Sequence, residues 1–273
     1  MTLTTGAIGA SHGLTAAERV AYHDEGYLVR RGVFRSAELE VLRLASEALV
    51  ENLVKDRQGR RQRMGSYVFE SDRLADVVIK WEGDSDVVHG IEPVCHLSPV
   101  LAAWAADARL IEPMAHCIDD PGPTLFTEKL NLKRPAHGGP NPFHQDLPYW
   151  ADIADDAARI ATAMIFLDDA DTTNGCLEVV PGSHRRGVWP TRADSDPFGG
   201  LETDPAATAE VSTVPLEVEA GAVAFFGPLL LHKSSPNTSP QGRRALLYSY
   251  QPAGLAHVRE CLRRRRPATH QNL

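Results

Sequence analysis

Asn141-Pro-Phe-His144-Gln-Asp146-Leu-Pro-Tyr-Trp150 sets an imidazole and a carboxylate two residues apart. Along a strand, residues i and i+2 point to the same face, whereas a helix brings together i and i+3 or i+4. The His-x-Asp pair therefore favours a strand or its fraying end, with Gln145 pointing elsewhere. A second imidazole, His232, follows 88 positions after the first in Leu229-Leu-Leu-His-Lys-Ser-Ser-Pro-Asn237, and Arg243 lies 11 beyond it. Two imidazoles and one carboxylate form the ligand set that suits non-haem iron(II) and leaves coordination positions open. Those positions can hold a chelating co-substrate and dioxygen. An arginine nearby can grip a carboxylate as a two-pronged fork. A zinc or manganese cupin-type isomerase or hydrolase could use the same three ligands, but it would have no need of Arg243 and Ser234.

Working outward, the texture of the chain changes near Pro121. Upstream, residues 15–25 and 36–56 read as helices, the second from apolar spacing at Leu39, Val41, Leu42, Leu44, Ala45 and Leu49, with Ser36 as its N-cap. Residues 98–119 read as a helical pair split near Pro113. Downstream come short β-rich runs: Leu125–Leu132, Ile160–Leu167, Cys176–Val180, Val211–Val218, Ala222–Phe226, Leu229–His232 and Ala245–Gln251. Gly, Pro and Asn clusters separate them. Short strands with frequent turn signals imply a sandwich or jelly roll. The expected fold is mainly β with N-terminal helices: helical support over about 14–119, a double-stranded β-helix core over about 122–252, and a basic tail over about 259–273, all in one domain. Residues 188–210 read as a long loop.

Composition agrees with a single large core. The chain has 273 residues, of which 43% are hydrophobic and 23% charged. No apolar run approaches the roughly 18 residues of a membrane span. No secretory signal is visible after Met1, and the cysteines Cys95, Cys117, Cys176 and Cys261 form no close pair. These features set the expectation of reduced thiols and a cytoplasmic setting. The net charge of −8 argues against nucleic acid as a general partner. The local exception, Arg263-Arg-Arg-Arg266, reads as a solvated tail.

Four blocks together resemble the phytanoyl-CoA dioxygenase family of iron(II)- and 2-oxoglutarate-dependent oxygenases. They are Tyr22-His-Asp-Glu-Gly-Tyr-Leu-Val-Arg-Arg-Gly-Val-Phe34, Pro142-Phe-His-Gln-Asp-Leu-Pro-Tyr149, the stretch from Leu167 through Asn174-Gly-Cys-Leu and Pro181-Gly-Ser-His184 to Gly187, and His232 to Leu247. The resemblance implies the same β-helix fold, Fe(II) held by His144, Asp146 and His232, and 2-oxoglutarate and dioxygen as co-substrates. It assigns Arg243 to the distal carboxylate of 2-oxoglutarate and leaves Arg244 facing the other way. Ser234 would donate a hydroxyl to the co-substrate. By position alone, Lys80, Asn131 and Met164 would line the same pocket. Met164 stands where some members carry tryptophan, so a core methionine is the competing reading, as a solvated lysine is for Lys80. Trp150 would wall the substrate pocket or simply fill core. In a halogenating relative a small residue replaces the carboxylate; Asp146 is present here, so hydroxylation is expected. The implied reaction is oxidation of a small molecule, with desaturation, epimerisation and cyclisation as alternative outcomes.

Overall fold

The computed structural model describes residues 11–55, 61–64, 67–72, 76–192 and 201–265. Its helices are α1 (Ala16–Glu25), α2 (Ser36–Val54), α3 (Pro99–Trp104), α4 (Ala108–Cys117), α5 (Leu147–Trp150), α6 (Pro205–Thr208) and α7 (Val258–Arg265). The first strands are β1 (Tyr27–Arg30), β2 (Arg61–Met64), β3 (Tyr67–Asp72), β4 (Val77–Trp81) and β5 (Val88–Glu92). The next are β6 (Thr124–Lys133), β7 (Asn141–His144), β8 (Ala161–Phe166) and β9 (Leu177–Val179). The last are β10 (Val214–Pro215), β11 (Val223–Phe226), β12 (His232–Ser234) and β13 (Arg243–Gln251).

Among the described residues these strands form two antiparallel sheets. The larger has nine strands in the order β1-β11-β8-β13-β6-β5-β4-β3-β2, and the smaller has four in the order β10-β9-β12-β7. Their inner faces share one apolar cluster, with Met164, Phe166, Ala224, Phe226 and Ala245 from the large sheet and Leu177 and Val179 from the small one. This is the double-stranded β-helix. Side chains of β6, β8, β11 and β13 alternate between the two faces, with one register shift between β6 and β13 at Ser249/Tyr250, so the other face carries a second cluster that meets the helices.

The helices are fixed by identifiable local chemistry. At the start of α1, Glu18 N–H donates to Thr15 Oγ1 (3.2 Å) and Thr15 N–H donates to the Glu18 carboxylate (2.8 Å). Gly26 ends that helix in the left-handed region, with φ 81°. α2 buries Leu39, Leu42, Ser46 and Leu49, three or four residues apart. Ion pairs from Arg43 to Asp168 and from Glu47 to Arg134 and Arg244 tie α2 to the large sheet. Tyr248 and Tyr250 reach out from β13 and donate to the carbonyls of Leu101 and Ala105, anchoring α3 and the turn after it.

Several expectations need correction. Helices do not simply precede strands: β2 to β5 lie inside the region expected to be helical and extend the large sheet. Arg35, not Ser36, caps α2; its N–H donates to Glu38 at 2.8 Å. The helical pair breaks at Ala105–Asp107, with Pro113 inside α4. The run Leu229–His232 becomes strand only from His232, and within Val211–Val218 only Val214–Pro215 is strand, while Val218 bridges Ala170. Segment 188–210 contains α6 and a bridge between Thr191 and Thr203; residues 193–200 lie outside the described residues. The basic run enters α7, where Arg259 and Arg263 both pair with Asp76 at 2.9 Å. Residues 266–273 lie outside the described residues. The four cysteines are free thiols. No described helix is long and apolar enough to cross a membrane.

Candidate metal centre

β7 and β12 are neighbours in the small sheet, and their register sets His144 directly opposite His232. The two rings lie 4.2 Å apart between centroids. Asp146 completes the group: one ligand atom from each of the three residues lies within 4.8 Å of the others. Each imidazole has its Nδ1 against a carbonyl two residues back, Pro142 O at 2.8 Å for His144 and Leu230 O at 2.9 Å for His232. A carbonyl can only accept, so Nδ1 carries the proton and Nε2 keeps its lone pair for a metal. Burial, reinforced by His232, holds His144 well below the usual imidazole range, so it is neutral, as a ligand must be. Burial also pushes the Asp146 carboxyl up, against the opposing pull of His232 and Lys129.

The route by which Asp146 arrives differs from the strand argument. β7 ends at His144, and Asp146 has helical backbone angles (φ −74°, ψ −31°) at the start of α5. Between them, Gln145 turns inward and is buried. Its amide donates to the carbonyls of Gly187 and Leu229, and its oxygen accepts from Trp189 N–H. Gln145 thus pins the turn that swings the carboxylate back toward the imidazoles.

Arg243 opens β13 on the inner face. It is 2% exposed, yet Nε and Nη1 find no partner among the described residues. Burial pushes its pKa down to about 10. Its partner across the strands is Lys133, which is 1% exposed. Lys133 Nζ donates to the carbonyls of Gly139 (2.5 Å) and Ser235 (2.8 Å), and burial together with Arg243 brings its pKa down to about 7. Two cations side by side in the interior, one with idle N–H groups, form a receptor for an anion. Arg244 faces the opposite way, bonded to Asp168 at 2.7–2.8 Å and to Glu47 at 3.2 Å. Ser234 is buried two residues after His232, on the same face of β12.

The remaining candidates divide. Lys80 Nζ donates to Asn141 Oδ1 at 2.9 Å, and the Asn141 amide donates to Ser234 Oγ at 3.2 Å, so Lys80 joins the group around Ser234. Asn131 is half-buried on the inner face of β6, opposite Ala245 and Gly90. Met164 is 3% exposed within the inner apolar cluster. Trp150 packs edge-on to Phe126, with centroids 5.7 Å apart, in a satellite cluster with Ile160, Val258 and Cys261. The aromatic ring that meets the ligand group is its neighbour Tyr149, edge-on to His144 at 6.0 Å. Tyr149 and Lys133 were not singled out in the sequence. Lys133 left a signal, because Lys129-Leu-Asn-Leu-Lys133 alternates polar and apolar residues and puts three polar side chains on one face.

The residues fit the iron and 2-oxoglutarate pair. Three donors of the right chemistry converge, and an orphaned guanidinium stands ready for a carboxylate.

Comparisons with known proteins point the same way. The family model described as phytanoyl-CoA dioxygenase matches residues 22–245. Methylphosphonate hydroxylase of Gimesia maris is 34% identical over 136 residues, covering 50% of this chain and 48% of that one. L-proline trans-4-hydroxylase of Streptomyces griseoviridis is 33% identical over 146 residues, covering 46% and 53%. These alignments span about half the length of the curated relatives. The crystal structure of EctD from S. alaskensis with 2-oxoglutarate and 5-hydroxyectoine superposes with a TM-score of 0.67 at 22% identity, covering 91% of this chain and 79% of that one. With the fold, the ligand group and the family match in agreement, the chain belongs to the phytanoyl-CoA dioxygenase family of iron(II)- and 2-oxoglutarate-dependent oxygenases.

Proposed function

We propose that the protein hydroxylates an unactivated C–H bond of a small molecule, in specialised metabolism. In the overall reaction, R–H, dioxygen and 2-oxoglutarate give R–OH, succinate and carbon dioxide. The observation that carries this reading is the buried Arg243, whose Nε and Nη1 have no partner among the described residues, beside Lys133. A cupin-type isomerase or hydrolase would leave that cation without a purpose.

The roles of the residues follow. His144 and His232 would hold the iron through Nε2, and Asp146 through its carboxylate. Arg243 would take the distal carboxylate of 2-oxoglutarate with its idle N–H groups, a charge-assisted contact. Ser234 would offer its hydroxyl to the same molecule, with Asn141 fixing its orientation. Iron and 2-oxoglutarate together supply the activation of dioxygen and the C–H oxidation. The protein contributes position and the exclusion of water. Asp146 occupies the place a halide would need, which favours hydroxylation over halogenation.

The test is succinate formation from 2-oxoglutarate with Fe(II) and ascorbate, alone and with small-molecule panels. Absence of succinate under all of these conditions, from folded protein, would overturn the proposal.

A further inference from the structure

The inner face of the large sheet changes character along β6. Its inward side chains are Lys133, Asn131, Lys129 and Thr127, which sit opposite Arg243, Ala245, Leu247 and Ser249 of β13. The first row is the anion receptor described above. Lys129 stands four residues further along, roughly 13 Å at the rise of a strand. There its Nζ meets Glu92 of β5 at 2.8 Å, and Thr127 Oγ1 donates to the same Glu92 at 2.8 Å. The adjacent row of the same face holds Asn131, Gly90 and Lys80, and Lys80 bonds at 2.9 Å to Asn141 of β7, the strand that carries His144.

The Lys129 row opens on its β5 side. Ala245 and Phe166, in the Asn131 row, are 0% exposed, and Met164, at the β8 end of the Lys129 row, is 3% exposed. The side chains of Lys129 and Glu92 are 43% and 30% exposed, and Val78, opposite Glu92 on β4, is 38% exposed. A wall that faces inward, reaches solvent and lies one row from the side chain that bonds β7 is where a substrate would rest.

An ion pair this open to water adds little to stability. Its value for a ligand is larger. A guest with its own carboxylate and its own ammonium can exchange the single Lys129–Glu92 pair for two pairs and leave no charge uncompensated. A simple amine would strand Lys129, and a simple acid would strand Glu92. We infer that the reaction chamber takes a small zwitterion, an amino acid or a molecule of like charge pattern, between Lys129 and Glu92. This rests on the oxygenase reading above.

The experiment measures succinate formation stimulated by α-, β- and cyclic amino acids. Each is compared with its matched amine lacking the carboxylate and its N-acetyl acid lacking the ammonium. The expected result is stimulation at least ten-fold greater for one or more amino acids than for either partner. Lys129→Met and Glu92→Gln should each raise the apparent KM for the best amino acid about ten-fold or more, the loss of one charged hydrogen bond. They should also change selectivity in opposite directions. Lys129→Met narrows the gap to the amine, and Glu92→Gln, which keeps an acceptor for Thr127, narrows the gap to the N-acetyl acid. A merely structural pair would depress all three compound classes alike, and that result overturns the inference. So does equal stimulation by amines or acids, or uncoupled succinate formation that no amino acid increases. If the wild-type protein neither consumes 2-oxoglutarate nor gains thermal stability from it, the oxygenase reading itself has failed.

Discussion

Arg243→Met should make the ligand-free protein more stable while removing its response to 2-oxoglutarate. The magnitude follows from the site. The guanidinium is 2% exposed and leaves Nε and Nη1 without partners. A buried polar group without a partner costs about 1–3 kcal/mol, and more when charged. The fall of the pKa to about 10 is itself a penalty of roughly 3 kcal/mol on the charged form. Methionine removes that penalty, is flexible enough to fill much of the space, and loses about 1 kcal/mol of packing. The net gain of about 2 kcal/mol corresponds to a rise in Tm of about 4–8 °C for a chain of this size. With Mn(II) in place of iron, 2-oxoglutarate at a hundred times its Kd should stabilise the wild-type protein by about 2.7 kcal/mol and the variant by almost nothing. Thermal unfolding with and without 2-oxoglutarate reads both effects. A variant that melts below the wild type without ligand, or keeps the ligand-induced rise, refutes the reasoning.

Related perturbations test the rest of the site. Arg243→Lys retains charge but not the fork, so its affinity for 2-oxoglutarate should fall about ten-fold, whereas Arg244→Lys, on the outer face, should disturb thermal stability instead; equilibrium dialysis and melting separate the two. His144→Ala and His232→Ala should each abolish turnover in a folded protein; full activity with iron supplied rejects the ligand set. The native enzyme should give no chlorinated product at high chloride, and Asp146→Gly should lose most oxidation, both visible by mass spectrometry. Stability should also fall with acid through His89, which is buried against Glu82 at 2.7 Å and lies near Lys80. Its folded pKa, pushed down to about 4 by burial, lies below the unfolded value near 6.5, so the unfolded chain takes up the proton first. Stability is then full above about pH 6.5 and drains away toward pH 4, by a few kcal/mol at most. Urea unfolding of wild type and His89→Gln at pH 7 and 5 should show a shallower loss in the variant.

The strands after Pro121 were legible because apolar residues alternate or run continuously between turn residues, and the candidate metal-ligating histidines stood out beside them. β2 and β3 were not legible: Arg-Gln-Arg-Met and Tyr-Val-Phe-Glu-Ser-Asp are too polar or too short to announce a strand. They exist because β4 offers them an edge, a tertiary effect that propensity does not contain. That Arg243 and Arg244 face opposite ways could be reasoned from period-two alternation, whereas the choice of Arg243 as the inward one came from the family resemblance. Tyr149 and Glu92 could not, since their placement depends on how α5 turns and how β5 registers with β6. Trp150 shows the converse, a residue picked for chemistry that is placed in packing under α7.

β7 is a four-residue strand at the margin of the small sheet, with one neighbour along its length. Such margins are where native proteins open first, and amide exchange there ordinarily runs ahead of the global unfolding rate. An ion shared by His144 and His232 would bolt this margin to the strand beside it. Iron loading would then be visible as slowed amide exchange at β7, well before any substrate is known. Depletion of iron in the cell would cost the protein resistance to proteolysis as well as activity, so its abundance would follow the metal supply.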